Sequence, residues 1–332
     1  MTNLKKVGLS ALAGSLVAVS AYAGELSVSG SAKFSYTADT GNEDAEADGN
    51  RFGMAQGLTF SGSGELDNGH TVSLTHVISS NGGGKSTSVL SYDMGAIGSI
   101  KYQQDSGSLG IGNIDDVTPT ADEEVFNGLD TGAASGGTPN GRVSGGITGF
   151  QYTYSNDMLT AQLGYSPKSD TSSTGDGSNG TAAALQSSTS IALKITPMDG
   201  LTIVAGTGSI GNTTDASKED DHDTYGIVYA WGPIQVGYQH SEIDDGTTST
   251  TADTEQDMVS IAFAVNENLS ISYGEQDTDR DGASLTQEVK GFSVGYSMGG
   301  MTIKAHKNEG TNLAQTASNE SEHTEIAVSF AF

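Results

Sequence analysis

The sequence predicts an all-β chain, a transmembrane antiparallel β-barrel of 16 strands. Three observations lead there. Apolar residues recur at every second position in segment after segment. The breaks between those segments alternate between tight turns and long polar loops, as hairpins do when one barrel end has turns and the other loops. Past residue 23 no stretch is long and apolar enough for a membrane helix.

Residues 1–23 read as an export leader. Lys5 and Lys6 precede an apolar run from Val7 to Val19, and Ala21-Tyr22-Ala23 supplies a small-x-small cleavage pattern. The run is too short to span a membrane as a helix. The expectation is a signal peptide over 1–23, removed on export, and a single barrel domain over 24–332. The formal charge is −27, and losing two lysines makes the exported part more acidic still. Such a surface repels nucleic acid, which needs Lys and Arg on its phosphates, and suits water and divalent cations. With no cysteine there is no disulfide framework and no thiolate metal site. Apolar content of 35% is low for a globular core, but its period-two arrangement argues against disorder.

The strands follow in order. The first, 25–38, sends Leu26, Val28, Phe34 and Tyr36 to one side and Ser27, Ser29, Ser31, Lys33 and Ser35 to the other. Strands at 51–65, 70–80, 85–94 and 98–105 come next, with turns at 66–69 and 95–98. Alternation is poor in 85–94 and 98–105. After the longest gap, 106–144, come 145–155 and 159–168; in the latter Leu159, Leu163 and Tyr165 oppose Thr160, Gln162 and Gly164. Strand 184–196 alternates weakly and turns at 197–200 into 201–211. The clearest patterns are Tyr225, Ile227, Tyr229 and Trp231 in 222–231, and Ile234, Val236 and Tyr238 in 234–244. Val259, Ile261, Phe263 and Val265 mark 256–266, and Leu269, Ile271 and Tyr273 mark 269–278. In 286–298, Lys290 shares the parity of Phe292 and Val294, which calls for a bulge at Gly291 or a snorkelling place at the membrane rim. Strand 301–309 precedes 323–332, where Ile326, Val328, Phe330 and Phe332 alternate with Glu325, Ala327, Ser329 and Ala331.

A strand apolar on one face and polar on the other can meet lipid outside and water inside. Sixteen of them close a barrel wide enough for an aqueous channel and leave no edge unpaired in lipid. Here the chain resembles the trimeric general-diffusion porins of the Gram-negative outer membrane, most closely the alphaproteobacterial type. The resemblance spans the whole chain. It rests on the leader, the start "GELSVSGSAKFSY", the third loop with "GNIDDVTPTADEEVFNGLD" and the end "IAVSFAF". It implies a third loop, 106–144, folded into the barrel and narrowing it, and a homotrimer in outer-membrane lipid. It also implies that Phe332 belongs to the signal read by the barrel-assembly machinery.

The resemblance further implies a constriction with loop carboxylates facing wall cations. The loop offers Asp115, Asp116, Asp122, Glu123, Glu124 and Asp130. Parity turns Lys33, Arg51, Lys101, Lys194 and Lys304 inward, and Arg142 stands at the loop's return. A crosswise field in a narrow pore orders polar solutes and rejects apolar ones. The competing reading is that charges on loops are solvated faces. Arg51 and the pair Asp115 and Asp116 are the strongest individual candidates.

Four motifs need weighing. "GTGSIG" (206–211) fits a dinucleotide fingerprint but no helix follows. "GFSVG" (291–295) fits a nucleophile elbow, with Glu309 and His323 as nominal partners, but Ser293 sits mid-strand. "SSNGGGKS" (79–86) lacks the first glycine of a phosphate loop. "DTDRDGASLTQE" places Asp277, Asp279, Asp281 and Glu288 at calcium-loop spacing, with Gly282 sixth. Flanking helices are missing there, and a solvated acidic loop is the favoured reading. Otherwise Ca2+ would stiffen an external loop. The six histidines, His70, His76, His222, His240, His306 and His323, show no metal or triad spacing.

The function expected is a water-filled pore for passive diffusion of ions and small hydrophilic solutes, weakly cation-selective, requiring no cofactor and catalysing nothing. The alternatives are a substrate-specific channel for sugar, phosphate or amino acid, a barrel enzyme such as a lipase or protease, and a soluble calcium-binding adhesin.

Overall fold

The computed structural model describes residues 26–41, 51–79, 85–104, 108–129, 131, 143–146, 148–167, 187–211, 218–246 and 253–332. The expected leader, Asp130 and Arg142 lie outside them, as does most of "SSNGGGKS". Sixteen antiparallel strands form one closed barrel, each paired with its sequence neighbours and β1 pairing with β16. They are β1 (Ser27–Gly41), β2 (Phe52–Glu65), β3 (Thr71–Ser79), β4 (Lys85–Asp93), β5 (Ser99–Gln104), β6 (Gly149–Ser155), β7 (Leu159–Ser166) and β8 (Ser188–Met198). The second half comprises β9 (Leu201–Gly211), β10 (Glu219–Trp231), β11 (Ile234–Asp244), β12 (Thr254–Ala264), β13 (Leu269–Arg280), β14 (Gln287–Met298), β15 (Met301–Thr311) and β16 (Ser321–Ala331). Every predicted strand is present, with ends within four residues of the expected ones.

Alternation decides the faces. Phe34, Leu74, Leu90, Leu163, Ile227, Val259 and Phe292 are all exposed on the outer surface. Their neighbours in sequence face the other way. Closing the barrel pairs the two end strands: β1 and β16 run in register from Ser31↔Ala331 to Gly41↔Ser321, as lipid requires of a spanning sheet. Phe332 continues this seam by exchanging two backbone hydrogen bonds with Gly30, at 2.6 and 2.9 Å.

Turns at one barrel end are tight, and Gly69, Gly200 and Gly299 there have φ of 78°, 79° and 59°, the left-handed region that glycine enters without cost. Strand β8, where the sequence alternates weakly, keeps an unbroken register with β9 from Ser188 to Ile195 and shifts only between Ile195 and Met198, at the turn. Lys290 needs no bulge. The ladders of β14 with β13 and β15 run unbroken through Gly291, and Lys290 Nζ stands 3.5 Å from Glu309 Oε2 near the long-loop end.

Candidate functional site

Residues 108–129 leave the wall after β5 and lie along the polar face of β6 to β15. Side chains of that face hold the segment by its backbone. Gln151 Oε1 accepts from Gly110 N at 3.0 Å and Ser190 Oγ from Ile111 N at 3.2 Å. Gln239 bonds twice, accepting from Val117 N and donating to the Ile114 carbonyl, each at 2.7 Å. Ser260 donates to the Pro119 carbonyl at 2.7 Å, and Ser272 accepts from Ala121 N at 2.9 Å. Asn308 donates to the carbonyls of Glu124 and Asn127 at 3.1 and 2.9 Å. These wall groups are buried beneath the segment, Gln239 at 1% exposure, so each hydrogen bond also removes the cost of an unsatisfied polar group.

Apolar contacts seat the two ends. Ile111 and Ile114 pack on Ala192, Val204 and Val143, with Val117 against them, each buried Ile contributing about 1.5–3 kcal/mol. Leu129 packs on Val289 and Leu313. Leu313 reaches there because the β15–β16 connection turns inward, with Asn312, Ala314, Gln315 and Ser318 in the left-handed region.

Close approach explains the glycines. A Cβ at Gly237 would stand 2.5 Å from Pro119 Cδ, one at Gly206 2.9 Å from both Ile111 and Ile114, one at Gly274 2.9 Å from Val125, and one at Gly295 2.6 Å from the Ala121 carbonyl. These glycines share the polar face and form a shallow bed on which the segment rests. Parity in the sequence puts Gly237 on that face but does not show why it lacks a side chain. Neither the bed nor the buried Gln and Ser anchors were legible as functional.

The expected charges fall into three groups. Lys304 and Asp122 meet directly: Nζ to Oδ1 is 3.2 Å, and His306 Nδ1 is 2.8 Å from Asp122 Oδ2. Burial alone would raise the Asp122 carboxyl, but the His306 hydrogen bond and the Lys304 charge outweigh it and hold it below the usual carboxylate range. This is contact across the segment–wall junction rather than a field across open space. Lys33 pairs with Glu325 at 2.5 Å, a wall acid that sequence reasoning did not single out. Lys101 Nζ donates to the Ser108 carbonyl at 3.3 Å, steadying the start of the segment. Lys194 shares the face of Val204 and is exposed, as is Arg51 at the long-loop end of β2. On the segment, Asp116 Oδ1 accepts from both the N–H and the hydroxyl of Thr118 at 2.9 Å, shaping a local turn. Glu123 accepts from Asn127 Nδ2 at 3.4 Å. Asp115 and Glu124 are also on the segment, both engaged with neighbours.

Histidines without sequence spacing acquire places here. His222 Nδ1 accepts from Ser144 N at 3.1 Å, holding the chain's return to the wall. His306 and His323 lie with ring centroids 5.3 Å apart, and His323 Nδ1 bonds Asp39.

The remaining motifs resolve by placement. Gly206–Gly211 lies on β9. Ser293 is buried on β14 and bonded to Ser272 Oγ at 2.6 Å, while Glu309 is directed to the opposite face, beside Lys290 and Lys307, so Glu309 does not join Ser293 in a triad. The residues at calcium-loop spacing are not all in a loop: β13 continues to Arg280, so Asp277 and Asp279 are strand residues on the outer face, with Glu288 opposite Asp277 on β14 and Asp281 in the turn. Among the described residues no His, Asp and Glu group is placed to hold a metal ion.

The family model described as "Gram-negative porin" matches residues 8–332. No curated protein sequence matches the chain. Among solved structures, a triple mutant of the Rhodopseudomonas blastica porin superposes with a TM-score of 0.63 at 17% identity, covering 93% of this chain and 100% of that one. A double mutant of the Rh. blastica porin gives 0.62 at 18% identity with the same coverage. The OmpT outer-membrane protein of Vibrio cholerae gives 0.65 at 12% identity, covering 92% of this chain and 97% of that one.

Proposed function

The chain belongs to the Gram-negative porin family, outer-membrane β-barrels, and from that premise we propose that it forms a water-filled channel for passive diffusion of ions and small hydrophilic solutes. The observation that carries this reading is the arrangement of the polar face. Residues 108–129 cover it along β6 to β15, and the faces of β1 to β5 remain beside them, where Lys33 is half-exposed. The polar face is then the lumen, the segment narrows it, and solutes pass between the segment and the β1–β5 wall. Acids on the segment outnumber its cations, which supports weak cation selectivity. The channel needs no cofactor and performs no catalysis in this reading; Glu309, on the face opposite Ser293, supports that.

A homotrimer fits the outer surface of the β3–β5 side. His76, Ser88 and Gln104 stand in register on adjacent strands, and His76 Nδ1 is 2.8 Å from Ser88 Oγ. His76 lies between the exposed Leu74 and Ile78. A polar row there is costly against lipid and tolerable under a neighbouring subunit. Phe332, hydrogen-bonded into the β1 seam, remains the proposed assembly signal.

The test is conductance and reversal potential of the purified protein in a planar bilayer under a salt gradient. Closing steps in threes with a reversal potential of cation sign are expected. Anion sign would overturn the selectivity, and a folded barrel without conductance would overturn the channel.

A further inference from the structure

The seam where β15, β16 and β1 meet under residues 121–129 gathers titratable groups from four parts of the chain. His306 on β15 is buried and bonds Asp122 of the segment. His323 on β16 is nearly as buried and bonds Asp39 of β1. The two rings are 5.3 Å apart. Lys304 faces the same carboxylate as His306, at 3.2 Å. Glu325 lies opposite His306 in the strand register but is engaged by Lys33 at 2.5 Å. Ser293, opposite His306 on β14, carries no charge. The segment itself rests on the second ring: Gly128 has φ of 78°, and any Cβ there would collide with the His323 imidazole.

We propose that His306 is a positioning residue for the constricting segment and that, together with His323, it makes the grip on that segment proton-dependent. This rests on the channel reading above.

With both rings neutral, each Nδ1–H donates to its own carboxylate and the segment is held through Asp122 and by contact at Gly128. Imidazoles titrate within the physiological range, and two so close titrate as a coupled pair. Asp39 beside His323 is about half-exposed. A proton on His306 must enter a ring with no exposed side-chain surface, beside His323 and beside Lys304. Its Nε2 has no hydrogen-bond partner among the described residues, so the added N–H would donate to nothing. The pair relieves this by parting: His306 releases Asp122, and residues 121–129 loosen from the wall. Either histidine alone lacks the repulsion that drives the release, since a single imidazolium beside a carboxylate is a stronger hydrogen bond than a neutral one.

The chain has no cysteine, so Glu123→Cys carrying a nitroxide label reports the segment by electron paramagnetic resonance in the full-length protein refolded into vesicles. Expected is an immobile spectrum at pH 7.5 and a mobile fraction that grows at least about threefold by pH 5, over the histidine range. The same label in His323→Gln is expected to give a flat profile over this range, and in His306→Gln a profile flat at whatever mobility that variant starts from. A growth that persists in either variant, or a native profile that is flat above pH 5, overturns the proposal. Circular dichroism at each pH confirms that all variants keep the barrel. Channel conductance at pH 7.5 is measured separately, so loss of the channel reading and loss of the proton grip are told apart.

Discussion

The arc from β6 to β15 and the arc from β1 to β5 obey the same alternation, yet their polar faces are built differently. On the first, Gln151, Thr224, Gln239, Gln256, Gln276 and Asn308 are all buried, with glycines between them where the segment comes close. On the second, no described residue of β1 to β3 is buried. One arc is shaped to hold a piece of protein and the other to face water. The outer faces differ too. The first arc carries rows of acids near its long-loop end, such as Asp257↔Asp277↔Glu288; the second carries the acid-free polar row His76↔Ser88↔Gln104. The difference teaches that a period-two pattern specifies a barrel, while the residues at the polar positions specify where a segment of the chain rests on its wall.

The sharpest way to break this comparison is to add the same side chain to both arcs. At Gly237 a Cβ would meet Pro119 Cδ at 2.5 Å and Thr118 Cα at 3.2 Å; at Gly57 its nearest neighbour is Ser31 Oγ at 3.5 Å. Gly237→Val is expected to cost about 1–3 kcal/mol through overpacking and to change single-channel conductance by displacing the segment. Gly57→Val should stay within about 0.5 kcal/mol. Equal losses in urea unfolding and equal conductance would mean that the segment does not rest on its bed.

A somewhat smaller effect is expected from Asp122→Asn, which leaves Lys304 and His306 facing an amide. The loss should be about 1–3 kcal/mol, read as weaker protection of the backbone amides of residues 121–129 in hydrogen exchange. The pH dependence has a fixed sign. Asp122 titrates lower in the folded protein than in the unfolded chain, so its own protonation costs nothing above the ordinary carboxylate range. Its contribution is lost as pH falls through the depressed folded value. The variant should therefore lose this acid-dependent protection; identical acid profiles would remove Asp122 as an anchor.

The strand pattern was legible because it is local: two residues apart decide the face, and sixteen strands could be placed from the sequence. Lys33, Lys101, Lys194 and Lys304 fell on the polar face for the same reason. The anchors were not legible because they join positions far apart, as Gln239 joins Val117 and His306 joins Asp122. Parity gives a glycine its face but not its purpose, since it has no side chain to read; Gly206 and Gly274 matter through the space they leave. Asp277 and Asp279 misled because alternate spacing suits both a calcium loop and one face of a strand. The ladder to Asp257 and Glu288 places both on a strand.

On the side facing water, Lys33 and Glu325 neutralise each other. Glu325→Gln frees a cation beside the path and should move the reversal potential toward anions, and Lys33→Met should move it toward cations. Screening within about 8 Å limits each change to roughly twofold in the cation-to-anion permeability ratio. Shifts in the same direction would show that the pair does not sit on the ion path.

The smallest effect belongs to the outer face of the lined arc. Asp277 stands between Asp257 on β12 and Glu288 on β14, directly opposite each in the ladders. Like charges opposed across strands are destabilising by about 0.2–1 kcal/mol per pair. Asp277→Asn removes the central charge from both pairs, so in chelator-treated protein at low salt it should raise stability, by about 0.5 kcal/mol after solvent screening. The gain should fade as salt is added, because these side chains face outward and the Debye length shortens. Calcium separates this from the calcium-binding alternative that the spacing offers. If the carboxylates bound the ion, millimolar calcium would stabilise the native protein and Asp277→Asn would lose that gain, making the substitution destabilising. If they only repel one another, calcium acts like any salt, and the ranking of the two proteins does not invert.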